Sequence, residues 1–299
     1  MTSPTLQTAP DRAEEAPAVQ LTRLVCSCPD RPGIVAAVSR FLADAGANIV
    51  SSSQYSTDPR DGTFFVRIEF TLALSARDQL AERFGLAVAD RFEMRWRMWD
   101  AERRKRVAVL VSRHDHALME LLWRWRRGTL DADLVLVASN HADLRADVES
   151  FGLPFHHVPV RRGEKPAAEA ALLELLADRA DLVVLARYMQ ILSGDFLQRL
   201  GTPVINIHHS FLPAFEGAGP YERAKERGVK LVGATAHYVT EQLDAGPIIE
   251  QDVVRVSHRD DAPALTRLGA DVERAVFARA VQWHCEDRVL VHGNTTVVF

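Results

Sequence analysis

The chain reads as an α/β protein in two parts: a small βαββαβ unit, then a larger unit built on a mostly parallel sheet. Two patterns predict this. Up to about residue 100, strand-length runs and two helical stretches follow one another with turn residues between them. From residue 107 onward, apolar strands alternate with helices, which is the pattern of parallel strands covered on both faces. A third observation concerns chemistry: the apolar run at 204–207 ends in Asn206-Ile-His208, at the end of a strand where ligands of such sheets sit.

Residues 1–18 are rich in Ala, Pro and Thr, carry Asp11, Glu14 and Glu15, and lack the apolar centre of a signal peptide, so they read as a disordered tail. The first unit occupies 19–100. Residues 21–28 read as a strand and Asp30-Arg-Pro-Gly33 as a turn. Ile34, Val38, Phe41 and Leu42 then give 34–45 a helical spacing that Gly46 stops. Strands at 49–56 and 63–72 are joined by a polar segment, a second helix is expected at 77–85, and 92–99 closes as a strand. The charged stretch Ala101-Glu-Arg-Arg-Lys-Arg106 reads as a solvated linker.

In the second unit, 107–299, strands are expected at 107–111, 134–138, 182–186 and 204–207, with helices at 116–127 and 166–179 among them. Leu172, Leu175 and Leu176 form the buried stripe of the latter, and Pro166 suits its first turn. Strands at 231–239 and 248–256, a helix at 262–284, and a hairpin of 288–291 with 295–299 around His292-Gly-Asn294 complete it.

A chain of 299 residues holds two full cores, and 47% apolar with 25% charged residues is ordinary for a globular protein. The net charge of −4 argues against nucleic acid or a membrane surface as partner. No apolar run approaches the roughly 18 residues of a membrane span. Cys26, Cys28 and Cys285 give no disulfide framework and fit a reducing cytoplasm. Trp123-Arg-Trp-Arg-Arg127 reads as a packing ridge with a cationic helix end. No metal is expected, because adjacent histidines point oppositely on a strand and no zinc-ligand spacing occurs.

Asn206 and His208 point to one face of a strand, roughly 7 Å apart along the chain. Asp244, in the Leu243-Asp-Ala-Gly-Pro247 turn, completes an amide, an imidazole and a carboxylate if the fold returns it there. Such a set suits acyl or formyl transfer through a tetrahedral intermediate.

The first unit resembles an ACT domain, a ferredoxin-like regulatory module, through Cys28-Pro-Asp-Arg-Pro-Gly-Ile-Val35 and Gly46-Ala-Asn-Ile49. The resemblance implies an effector cleft at a dimer interface lined by Asp30, Gly33, Asn48 and Ile49, an amino acid such as glycine or methionine as effector, and a homo-oligomer. The same positions also serve as ordinary turn and cap residues.

The second unit resembles the Rossmann-like formyltransferase family that handles 10-formyltetrahydrofolate, on Asn206, His208, the following His209-Ser-Phe-Leu-Pro213, and Leu243-Asp-Ala-Gly-Pro247. It implies that Asn206, His208 and Asp244 are catalytic and that the Leu212-Pro213 bond is cis. Met189, Gln190, Ile191 and Leu192 would hold and cover the pterin, with Thr235 and His237 near the formyl group. The loop Ser112-Arg-His-Asp-His116 lacks the glycines that cradle a substrate phosphate elsewhere in the family. No basic tRNA-holding domain follows the catalytic one.

The whole layout is therefore similar to the family's deformylase branch, in which water takes the formyl group. It implies hydrolysis of 10-formyltetrahydrofolate to tetrahydrofolate and formate, with folate as substrate and no separate cofactor. The departures at Glu216, Gly219 and Ala270 fall on substrate-tail contacts and loop rigidity rather than on reaction class. A formyltransferase with an amine acceptor, or an inert folate or amino-acid sensor, are the alternatives.

Overall fold

The computed structural model describes residues 19–58, 60–74, 79–213 and 220–299. The expected tail, the first residues of the helix expected at 77–85, and Glu216 and Gly219 lie outside the described residues. The chain divides into two compact units between Glu102 and Arg103.

In the first unit β1 (Val19–Pro29), β2 (Asn48–Ser56), β3 (Thr63–Ala73) and β4 (Arg95–Asp100) form an antiparallel sheet in the order β2-β3-β1-β4. Directly opposed pairs Leu24–Ile68, Cys26–Val66 and Cys28–Phe64 face one core, which Ile34, Val38 and Leu42 of α1 (Ile34–Asp44) cover. The two cysteines are thus core residues, and burial pushes Cys26 up to about 12 and Cys28 up to about 11.

The second helix of this unit departs from expectation. Gly85 does not end it: α2 (Leu80–Phe84) continues through a π-type turn at Gly85–Ala89 into α3 (Asp90–Phe92). Leu80, Phe84, Val88 and Phe92 keep one buried stripe across the glycine, whose own dihedrals are helical (φ −51°, ψ −59°). A Cβ on Gly85 would meet the Trp96 ring at 3.4 Å, an ordinary contact. Glu93, at φ 55°, makes the exit, and β4 begins only at Arg95. The strand expected at 92–99 therefore starts later than expected, because Phe92 belongs to the helical stripe.

The second unit is a seven-stranded sheet in the order β11-β10-β9-β8-β5-β6-β7. β5 (Lys105–Val111), β6 (Ala132–Ser139), β7 (Phe155–His157), β8 (Leu182–Ala186) and β9 (Val204–His208) are parallel, whereas β10 (Leu231–Tyr238) and β11 (Ile248–Arg255) run antiparallel at one edge. Val107, Val109 and Val111 of β5 enter a core shared with α4 (His116–Arg126) and α9 (Ala262–Cys285). Ala108 and Leu110 enter a second core with α6 (Lys165–Leu176) and α7 (Gly194–Leu200). Leu172 and Leu176 of the expected stripe are buried, and Leu175 is partly so.

Four short elements had no expectation: α5 (Arg145–Ser150), β7, α7 and α8 (Pro220–Glu226). Seven residues or fewer complete at most two helical turns, too little for periodicity to show. A terminal hairpin pairs β12 (Val289–His292) with β13 (Thr295–Val298).

Caps at two helices fix the surroundings of the site. The Ser193 hydroxyl accepts from Phe196 N at the start of α7 and donates to Glu169 at 2.6 Å. Asp261 accepts from Ala264 N at the start of α9. Within the first unit, Phe84 is fully buried and meets Phe41 and Trp96 edge-on at 5.4 and 5.0 Å. Phe84→Ala should cost about 3–5 kcal/mol of that unit's stability, measurable by denaturant unfolding followed through tryptophan emission.

Candidate active site

β9 and β10 pair antiparallel with Asn206 opposite His237 and His208 opposite Thr235. Opposed residues share a face, so the four side chains stand on one side of this ladder. Ile205, Ile207, Ala234 and Ala236 fill the core on the other. The Asn206 amide nitrogen lies 3.3 Å from His237 Nε2, and His237 Nδ1–H donates to the Tyr238 carbonyl at 2.9 Å.

Asp244 returns to this face from the turn after β10. It adopts φ 53°, a left-handed conformation that Asp tolerates better than most residues. Gly246 keeps the turn tight: a Cβ there would lie 1.9 Å from the Tyr238 carbonyl oxygen. The Asp244 carboxylate sits 3.3 Å from His208 Nδ1 and 3.6 Å from His237 Nε2. Burial alone would raise its pKa, yet the His237 contact and the neighbouring imidazoles outweigh this and hold it below the usual carboxylate range.

His208 is 5% exposed, and its Nε2 is buried without a hydrogen-bond partner. Burial lowers its pKa, with Asp244 opposing, so the imidazole is neutral at neutral pH. Nδ1–H toward Asp244 leaves a bare Nε2 lone pair facing the site.

A second buried group adjoins the first. Glu273, on α9, is 1% exposed and takes contacts from His116 Nε2 at 2.9 Å, the Tyr221 hydroxyl at 2.7 Å and Arg187 Nη1 at 3.3 Å. Burial would raise its carboxyl, but His116, Arg187 and Tyr221 together hold it below its ordinary value. Gly269, one turn earlier on α9, makes room for Tyr221, because a Cβ there would lie 1.9 Å from the phenol oxygen. The His209 ring lies 5.3 Å from His208 and 6.0 Å from Tyr221, and burial pushes its pKa down to about 3.

Comparison with known proteins gives the family. The family model described as Formyl transferase matches residues 105–281, and that of the ACT domain matches 22–80. Formyltetrahydrofolate deformylase of Mycobacterium tuberculosis (strain H37Rv) is 60% identical over 279 residues, covering 93% of this chain and 90% of that protein. The chain belongs to the formyl transferase family, in its formyltetrahydrofolate deformylase branch. The crystal structure of a formyltetrahydrofolate deformylase from Pseudomonas syringae pv. tomato is 50% identical, with a TM-score of 0.88 and 96% of each chain covered. Glycinamide ribonucleotide transformylase 1 from Symbiobacterium toebii is 32% identical with a TM-score of 0.62; the match covers 94% of that chain but 66% of this one.

The remaining expected positions fall as follows. Met189 and Ile191 are 54% and 59% exposed on the segment between β8 and α7, Gln190 is half-buried, and Leu192 is in the core. Thr235 is fully buried and its hydroxyl is spent inside the protein: it donates to Ser210 O and accepts from Leu212 N and Gln251 Nε2. It holds the loop after β9, which contains the cis Leu212–Pro213 bond, and has no hydrogen-bonding capacity left for a ligand. His237 sits between Asn206 and Asp244, in contact with both.

In the ACT unit the four expected effector positions do not come together. Asp30 accepts from the Ser56 hydroxyl at the far end of β2, and Gly33, at φ 96°, precedes α1. Asn48 and Ile49 begin β2, opposite Thr71 and Phe70. The separation along the strand is about 25 Å.

Sequence reasoning missed Arg187, Glu273 and Tyr221 as parts of the site, quoted His209 only within the family motif, and gave His116 no part in the chemistry. Arg187 lies two residues before the Met189–Leu192 stretch assigned to the pterin. Glu273 sits on a helix with no local signal, and only the fold brings it to His116. Among the described residues no three His, Cys, Asp or Glu side chains are arranged to hold a metal.

His209 makes stability pH-dependent. The folded imidazole titrates at about 3 against an ordinary 6.5, so its contribution is complete above pH 6.5 and is lost progressively as pH falls toward 3. Urea unfolding at stepped pH should show His209→Phe removing up to about 1.4 kcal/mol per pH unit of slope in that window.

Proposed function

We propose that the protein hydrolyses 10-formyltetrahydrofolate to tetrahydrofolate and formate. The observation that carries this reading is His208: buried, oriented by Asp244 through Nδ1, and bare at Nε2. The names of the relatives support the substrate.

The Asn206 amide donates to the formyl oxygen as negative charge develops there. Water attacks the formyl carbon and a C–O bond forms. His208 Nε2 takes a proton from the water and returns it to N10 as the C–N10 bond breaks. The departing acid loses its remaining proton and leaves as formate. Asp244, held ionised, fixes the imidazole tautomer and stabilises the imidazolium between these transfers. The exposed Met189 and Ile191 side chains cover the pterin, with backbone from Met189 to Leu192 hydrogen-bonding its edge. The folate is substrate, and no further cofactor takes part.

Water as acceptor also fits the loop after β5. Ser112 donates to Asn140 at 2.6 Å and His116 is committed to Glu273, so this glycine-free segment offers a phosphate little. The two halves of the ACT site, on opposite ends of one sheet, meet if two chains pair through β2, an edge strand that exposes Ile49, Val50 and Tyr55. We therefore read the protein as a homo-oligomer whose paired modules take a small amino acid such as glycine or methionine at Asp30, Gly33, Asn48 and Ile49. Free Cys26, Cys28 and Cys285 agree with a cytoplasmic protein, and no helix among the described residues is long and apolar enough to cross a membrane.

Formate release from 10-formyltetrahydrofolate, assayed with and without a panel of amines, tests the reading; formylated amine without free formate would overturn it. Asn206→Ala should lower kcat about 10²- to 10³-fold while changing folate affinity little. Gly246→Ala, which displaces the Asp244 turn, should cost on the order of 10²-fold in kcat. The wild-type rate should stay level from pH 8 to about 6.5 and fall only below it, since His208 protonates below its ordinary 6.5.

A further inference from the structure

Among the described residues, Arg187 is a buried cation beside the site that the mechanism above does not use. It follows β8 directly, at the carboxyl end of the strand, and adopts φ 62°, a left-handed conformation that non-glycine residues rarely hold. Only 8% of it is exposed, and its Nε and Nη1 are buried without hydrogen-bond partners. Glu273 lies 3.3 Å from Nη1 but does not satisfy it as a hydrogen-bond acceptor. A buried guanidinium with idle N–H groups is costly unless something arrives to accept from them. Its charge reaches both His208 and His209, lowering the pKa of each, so it stands within electrostatic reach of the reacting carbon's neighbours.

We propose that Arg187 forms a product-side anion subsite that binds formate, an assignment that rests on the hydrolase reading above. The chemistry matches: hydrolysis turns an uncharged formyl group into a carboxylate, and guanidinium N–H groups are strong donors to carboxylates. Burial restricts the guest to a small anion.

The groups around the subsite set its pH dependence. Arg187 contacts Glu273 from α9, and its charge acts on His114 from the loop before α4, His208 and His209 from β9 and its exit, and Tyr221 from α8. His116 from α4 meets it at Glu273, and Asp244 from the turn after β10 lies against His208. Glu273 and Asp244 are held ionised, while His114, His208 and His209 are lowered toward the neutral form. Formate would be a third negative charge, so it binds with uptake of a proton at His208 Nε2, and its affinity rises as pH falls.

The test is titration of ¹³C-formate into the full-length protein without folate, followed by NMR. Saturable binding that strengthens from pH 8 to pH 6 is expected. Arg187→Met should weaken it at least tenfold while leaving tetrahydrofolate affinity within threefold. Glu273→Gln, which removes the competing carboxylate, should tighten it severalfold, a change that a merely structural Arg187–Glu273 pair would not produce. Should Arg187→Met fold poorly, the Arg187→Met/Glu273→Gln double variant removes both charges and should show no saturable formate binding. Unchanged formate binding in the Arg187 variants, no saturation in wild type between pH 6 and 8, or loss of tetrahydrofolate affinity instead, which would assign Arg187 to the folate's own carboxylates, would each overturn the subsite. Formate binding through Arg187 in a protein that releases none from 10-formyltetrahydrofolate would keep the subsite and discard the hydrolase reading.

Discussion

The pairing of Asn206 with His237 across β9 and β10 is the constraint on which the site depends. Antiparallel register sets which residues oppose one another, and a slip of one position would turn Asn206 and His208 into the core and bring Ile205 and Ile207 out. The apolar Ile205, Ile207, Ala234 and Ala236 on the buried face resist that slip. Hydrophobic packing on one side of two strands thereby fixes polar geometry on the other.

Burial then decides protonation. Desolvation disfavours charged imidazole and charged carboxylate alike, yet the two groups respond differently here. His114, His208 and His209 have too little compensation and remain below their ordinary pKa. Asp244 and Glu273 each gather enough donors to stay ionised despite burial. The result is neutral bases beside fixed anions, an arrangement suited to moving protons without net charge leaving the site.

Much of this was legible in the chain. Alternating strands and helices were visible because parallel strands covered on both faces are apolar throughout, as the fully buried Leu182–Ala186 shows. Asn206 and His208 could be paired because two residues apart on a strand means one face. Asp244 lies 36 positions further on, and only its Gly-Pro turn marked it. Arg187, Tyr221 and Glu273 carried no such mark, since their partnership is made by three elements distant in sequence converging on one carboxylate. The structural role of Thr235 was hidden for a related reason: Ser210, Leu212 and Gln251, which exhaust its hydroxyl, come from other segments. The helix through Gly85 was lost because a glycine seen alone reads as a stop, whereas here its dihedrals are helical and the buried stripe runs on through it.

Gly269 shows how far one missing methyl can reach. Glycine weakens a helix interior by about 1 kcal/mol relative to alanine, yet α9 keeps it where the phenol of Tyr221 presses closest. Any side chain at that position would evict the phenol, strip Glu273 of one of its three partners, and leave the carboxylate dependent on Arg187 and His116 alone. A gap the size of a single carbon atom, one helical turn from the acid it serves, thus sustains a buried negative charge.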